Sequence, residues 1–71
     1  MQRYRVECFN VGGEMVGCEV REFSDGEFSA DSQAIANALI DFSREAKVTV
    51  WRGKQIIYSS TRYRRLSRKS A

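Results

Sequence analysis

The chain has 71 residues, a mass of 8.2 kDa and a formal net charge of +3, with 42% hydrophobic and 30% charged residues. It is long enough for one small domain with one core, and no apolar run approaches the roughly 20 residues that a membrane-spanning helix needs. The chain has no histidine, the commonest general base near neutral pH, and no glycine-rich phosphate loop, so we expect a protein that is not an enzyme.

The N-terminus and the cysteines bear on location and cofactors. The first ten residues, MQRYRVECFN, lack the apolar stretch of a secretory signal, which favours a cytoplasmic location. Cys8 and Cys18 are therefore expected to be reduced thiols buried in the core. Because two thiols without histidine are too few ligands for a zinc site, we expect no metal and no cofactor.

Basic residues are concentrated at the C-terminus. Five of them lie in the last ten positions, which contain no acidic residue, whereas residues 1–61 contain seven basic and nine acidic residues. We therefore expect a mildly acidic domain (1–61) followed by a basic tail (62–71). Such a tail suits contacts with nucleic-acid phosphates, since each neutralised phosphate releases a counterion. Contact with an acidic protein surface and simple solvation of the tail are the alternatives.

Two alternating segments around Gly12-Gly13 predict a first β-hairpin. A two-residue loop would bring the inward residues of one strand opposite the outward residues of the other. We therefore expect a three-residue loop or a glycine bulge, which places both apolar sets on one face. The residues expected to face the core are Tyr4, Val6, Cys8, Val16, Cys18 and Val20.

Residues 32–47 have the spacing of an amphipathic helix. The apolar positions recur at i, i+3, i+4, i+7 and i+11, which draws one stripe along a helix of 3.6 residues per turn. Ser29 or Asp31 is the predicted N-cap, and Arg44 and Lys47 suit the negative end of the helix dipole. The stripe consists of Ile35, Ala38, Leu39, Phe42 and Ala46.

Residues 47–52 and 54–61 predict a second hairpin that turns at Gly53. The order of elements is then ββαββ. We expect a small single α+β domain in which one amphipathic helix covers one face of an antiparallel sheet. In the second hairpin the alternation places Val48, Val50 and Ile57 on the core face and Thr49, Trp51, Ile56 and Tyr58 on the opposite face.

The sheet face away from the helix is the candidate site. Aromatic side chains beside arginines suit stacking on unpaired bases or anchoring of a protein partner. The alternative is that a loop or the tail covers this face, or that Trp51 belongs to the core. The face is predicted to carry Phe9, Trp51, Ile56 and Tyr58 among Arg5, Arg21 and Thr49.

The first functional hypothesis is a binding module for DNA or RNA, in which the tail and the tip of the second hairpin contact phosphates while aromatic residues stack. The second is a protein-interaction module, a small inhibitor or regulator, whose aromatic face or edge strand also suits a homodimer. In size and hairpin–helix–hairpin plan the chain resembles small accessory proteins of phages and mobile elements. The candidate nucleic-acid-binding residues are Arg52, Lys54, Arg62, Arg64, Arg65, Arg68, Lys69, Trp51 and Tyr58. The candidate protein interface is Phe9, Trp51, Ile56 and Tyr58.

Overall fold

Four strands and one helix make up the domain, of which a computed structural model describes residues 1–61. The elements in chain order are β1 (Gln2–Phe9), β2 (Met15–Phe23), α1 (Ala30–Asp41), β3 (Lys47–Arg52) and β4 (Gln55–Thr61). The strands form one antiparallel sheet in the order β2-β1-β3-β4, and α1 packs against one of its faces. The predicted α+β class and ββαββ order are confirmed. Within residues 1–61 no helix is long and apolar enough to cross a membrane.

The strand order places the most apolar strands at the centre of the sheet. After α1 the chain returns beside β1, so that β1 and β3 are the central strands and β2 and β4 the edges. Burial under the helix is greatest in the centre, and this arrangement buries the apolar residues of both central strands at once. The core residues that β1 and β3 contribute, each at most 2% exposed, are Tyr4, Val6, Cys8, Val48 and Val50.

The helix packs through small side chains. Ala30, Ala34 and Ala38 recur at every fourth position and are at most 2% exposed, so the backbone of α1 approaches the valines of the sheet closely. The predicted stripe is rotated relative to this row, because Ile35 and Leu39 are only half-buried. The predicted N-cap at Ser29 is confirmed, since its Oγ accepts a hydrogen bond from the backbone N–H of Ser32 at 3.1 Å.

The helix ends at Asp41, six residues before the predicted end at Lys47. The backbone N–H of Phe42 still donates to the carbonyl of Ala38, but that of Ala46 donates to the carbonyl of Phe9 at 3.1 Å. This bond brings Lys47 opposite Phe9 as the first pair of the β1–β3 ladder. Ala46 and Lys47, which the helical spacing alone assigned to α1, therefore bond to β1 instead.

The predicted inward face of β2 is wrong. Val20 lies opposite Arg5, and Glu19 lies opposite the buried Val6, so Val20 and Cys18 share the face turned away from the helix. Val20 is 61% exposed, and Val16 is 51% exposed. A bulge occurs at Val16, but it does not bring the two apolar sets onto one face. Cys18 is accordingly an exposed thiol, whereas Cys8 is buried as predicted.

The second hairpin contains a bulge that changes which face Tyr58 occupies. Val50 lies opposite Tyr58, and Trp51 lies opposite Ile56, so Ile57 is an extra residue in β4. Tyr58 and Ile57 both pack against the core. The predicted position of Tyr58 on the outer face is therefore wrong, because one inserted residue inverts the alternation beyond it.

Candidate binding surface

The sheet face turned away from α1, here called the open face, is not covered by any helix or strand within residues 1–61. Its exposed apolar side chains lie toward the two edges, where Val20 is 61%, Met15 49% and Ile56 48% exposed. At the centre of the open face Thr49 is buried, with only 5% of its surface exposed. By register, the large hydrophobic residues of the open face are Phe9, Met15, Val20, Trp51 and Ile56.

The side chain of Trp51 is held on this face by contacts with Glu7 and Arg5. Its indole Nε1–H donates to the carboxylate of Glu7 at 3.0 Å. The same carboxylate pairs with the guanidinium of Arg5 at 3.1 Å, and that guanidinium lies 5.1 Å from the centroid of the Trp51 ring. Hydrogen bond, ion pair and cation–π contact together hold the half-buried indole in one orientation, which leaves little side-chain entropy to lose when a partner binds.

The rim of the open face carries charges of both signs. Arg3 pairs with Glu22 at 3.3 Å across β1 and β2. The ammonium of Lys47 lies 5.5 Å from the ring centroid of Phe9. Apolar side chains interspersed with paired charges are compatible with a protein–protein interface, which as a whole is about as apolar as the rest of a protein surface.

Arg21, which the sequence placed on the open face, lies on the helix side. Its guanidinium binds the carboxylates of Glu19 and Asp41, the latter at 2.5 Å, and lies 5.6 Å from the Phe42 ring centroid. Hydrogen bonding to Glu19 is the main cause that raises the pKa of Arg21. The side chain thus connects β2 to the end of α1 and is not available to a ligand on the open face.

Arg52, a predicted phosphate contact, belongs to a structural cluster at the start of α1. Its guanidinium donates to the carboxylate of Asp31 at 2.5 Å, and the hydroxyl of Tyr4 donates to the other oxygen of Asp31 at 2.5 Å. Burial and the Asp31 hydrogen bond raise the pKa of Tyr4 to about 12. The hydrogen bond from Tyr4, with Arg52, lowers the pKa of Asp31. This cluster was not predicted, because Tyr4, Asp31 and Arg52 are far apart in the chain and no local pattern connects them.

The two basic regions of the second hairpin lie at opposite ends. Arg52 and Lys54 flank the turn, whereas Thr61, from which the tail continues, lies opposite Lys47. The five residue steps from Lys47 to Arg52, at roughly 3.3 Å each, separate these ends by about 17 Å. Lys47, which the sequence pattern assigned to the end of the helix, is thus a basic residue beside Thr61. The tail residues predicted to bind nucleic acid, Arg62, Arg64, Arg65, Arg68 and Lys69, lie outside the described residues.

Most arginines of the domain already have carboxylate partners. Of the five arginines in residues 1–61, four form ion pairs with aspartate or glutamate, namely Arg3, Arg5, Arg21 and Arg52. The domain therefore offers little unneutralised positive charge. In the same part of the chain no three histidine, cysteine or acidic side chains are grouped as metal ligands would be.

Comparison of the chain with family models, curated proteins and solved structures finds no match.

Proposed function

We propose that this chain is a protein-interaction module whose docking surface is the open face. The observation that carries the proposal is the immobilised Trp51 beside partly exposed hydrophobic residues, with a rim of mixed charge. Rigid aromatic side chains surrounded by apolar and then polar groups are typical of the residues that dominate protein-binding energy. The partner is expected to present an apolar patch to this face.

Electrostatics favour a protein over a phosphate-bearing ligand on this face. Glu7 lies directly against Trp51, and Glu22 lies at the β2 edge. Arg5 is paired with Glu7 and Arg3 with Glu22, so neither arginine is free to neutralise the phosphates of a nucleic acid stacked on Trp51. A protein partner needs no such unpaired positive charge on the open face.

The first prediction concerns Ile56 and a matched isoleucine on the other side of the domain. When the full-length chain is immobilised, we expect it to retain a partner protein from a source lysate. The Ile56→Lys variant should not retain this protein, whereas the Ile40→Lys variant should. Ile56 is 48% exposed on the open face, and Ile40 is 73% exposed on α1. The retained protein is then purified and its affinity measured by calorimetry. We expect Ile56→Lys to weaken binding about thirtyfold, which corresponds to a hot-spot loss of about 2 kcal/mol.

The fold of both variants is checked by circular dichroism, since each replaces an exposed side chain and should unfold like the parent chain. Equal binding by Ile56→Lys, or an equal reduction in both variants, would place the binding surface elsewhere. Retention of no protein at all would remove the support for this function.

A second candidate function, nucleic-acid binding through the basic tail, is favoured by the segregation of charge. Residues 1–61 carry seven basic and nine acidic residues, and the last ten carry five basic and none acidic. Lys47 lies opposite Thr61 and extends this positive region onto the sheet. Arg52 contributes little to it, because it is paired with Asp31 at the far end of the hairpin.

The second prediction follows from this charge distribution. In fluorescence anisotropy with labelled single- and double-stranded oligonucleotides, the full chain is expected to bind with an affinity that falls steeply as salt rises. A chain ending at Thr61 is expected not to bind. The logarithm of the binding constant falls linearly with the logarithm of the salt concentration. Substituting Arg64 and Arg65 by alanine should reduce this slope by about 0.9 for each duplex-DNA phosphate that is no longer neutralised. Binding that survives truncation at Thr61, or no binding at low salt, would exclude the tail as a nucleic-acid element.

A further inference from the structure

The edge strand β2 combines length with exposed apolar side chains, and its charged residues and the bulge at Val16 restrict how another strand can pair with it. It is nine residues long, from Met15 to Phe23, and within residues 1–61 it pairs only with β1. Three apolar side chains along it are about half exposed or more: Met15, Val16 and Val20. Long edge strands with exposed apolar side chains are the places where sheets associate.

We propose that two copies of this chain pair through β2 in antiparallel fashion, around a two-fold axis that passes through Val20. The two four-stranded sheets then form one continuous eight-stranded sheet. A second copy is the occupant because β2 is complementary to itself in this register. The inference does not depend on what the open face binds.

Backbone geometry limits the choice of register. Along an edge strand, alternate residues direct their N–H and C=O groups outward, while the others bond to the neighbouring strand. Two identical edges pair only if outward residues meet outward residues, so the axis passes through a residue and not between two residues.

Charge then selects Val20 among the central residues of β2. With the axis at Val20, Glu19 of each copy lies opposite the partner's Arg21, which gives two complementary pairs. An axis at Glu19 or at Arg21 would place like charges directly opposite each other, which is destabilising. An axis at Cys18 would remove both complementary pairs and run the ladder into the bulge at Val16.

The same register matches the remaining side chains. The two Val20 side chains meet on the open face, where each is 61% exposed in one chain. On the helix side, Gly17 lies opposite the partner's Phe23, so a residue without a side chain meets an aromatic ring. Each Arg21 keeps Glu19 and Asp41 of its own chain and acquires a third carboxylate, the partner's Glu19.

The dimer would also enlarge the open face. A two-fold axis perpendicular to the sheet keeps both open faces on the same side. The two Trp51 side chains are then five strand spacings, or about 24 Å, apart across the sheet.

The third prediction is a monomer–dimer equilibrium of the full chain in sedimentation equilibrium, from 8.2 kDa to twice that mass. Val20→Lys places two ammonium groups at the axis and is expected to weaken dimerisation at least about tenfold. Val11→Lys is the matched control: Val11 is 75% exposed in the first hairpin loop, and this variant should dimerise like the parent chain. A parent chain that stays monomeric up to about 1 mM, or a Val20→Lys variant with unchanged dimerisation, would overturn the proposal.

A charge-exchange experiment tests the register itself. Glu19→Arg and Arg21→Glu each create two like-charge pairs in the homodimer, so each variant alone should be monomeric. In an equimolar mixture both opposing pairs become complementary again, and we expect the heterodimer to regain most of the parent affinity. If circular dichroism shows that Arg21→Glu is unfolded, Glu19→Arg decides alone: a monomer supports the register, and undiminished dimerisation refutes it. Two folded variants that do not associate when mixed would also refute it.

Discussion

Replacing Ala38 by leucine is expected to lower the free energy of unfolding by about 1–3 kcal/mol, because the added methylene and methyl groups overpack the core. Ala38 is 0% exposed in the row of alanines through which α1 meets the sheet. Val48 and Val50, which belong to the same core cluster, are themselves 0% exposed, so a larger side chain at Ala38 meets buried neighbours. The destabilisation should appear in urea unfolding and, at about 4–8 °C per kcal/mol for a domain near this size, in the melting temperature.

The matched control for this change is Ala36→Leu. Ala36 belongs to the same helix but is exposed, so the same substitution there should stay within about 0.5 kcal/mol of the parent chain. Comparable destabilisation in both variants would show that helix propensity, and not close packing of α1 on the sheet, sets the effect.

Local patterns were sufficient to predict the types of the elements. Alternation around the turns at Gly13 and Gly53, whose φ angles are +88° and +63°, predicted both hairpins. β3 runs from Lys47 to Arg52, with the predicted bounds. These features depend on residues near one another in the chain, which is why the sequence reveals them.

The orientation of β2 was not accessible in the same way. Its even-numbered apolar residues alternate as a half-buried strand should, yet Val20 faces away from the helix. Tertiary contacts determine which face of β2 the helix covers. β2 is an edge strand, and Arg21, on the face opposite to Val20, binds Asp41 of α1. Alternation identifies two faces of a strand, but it does not say which one the helix covers.

The same limit explains the mixed outcome for the candidate site. Phe9, Trp51 and Ile56 share the open face as predicted. Tyr58 lies on the other face because the bulge at Ile57 inverts the alternation, and nothing in the local sequence marks that bulge. The cluster around Asp31 joins β1, α1 and β3, so its detection requires the strand order, which alternation does not provide.

The cluster of Tyr4, Asp31 and Arg52 leads to the second large effect, which is a destabilisation of about 1–3 kcal/mol in Asp31→Ala. The Tyr4 hydroxyl belongs to a side chain that is 1% exposed and donates to Asp31 at 2.5 Å, so removing the carboxylate leaves a buried donor without its acceptor. Arg52 loses its carboxylate partner in the same variant. Glu27→Ala is the control, since Glu27 is an exposed acidic residue of the loop before α1 and should be nearly neutral.

A double-mutant cycle with Tyr4→Phe separates the buried hydroxyl from the rest of the cluster. With the donor already removed, Asp31→Ala should cost clearly less than it does in the parent chain, whereas an equal cost would show that the hydroxyl does not contribute. Acid titration gives an independent check. The pKa of Asp31 is lower in the folded chain than its unfolded value of about 3.9, so its stabilisation is complete above that pH and is lost as pH falls through the folded pKa. The difference in unfolding free energy between the parent chain and Asp31→Ala should therefore be constant near neutral pH and shrink below about pH 4, and a difference that stayed constant into that range would contradict the charged role of Asp31.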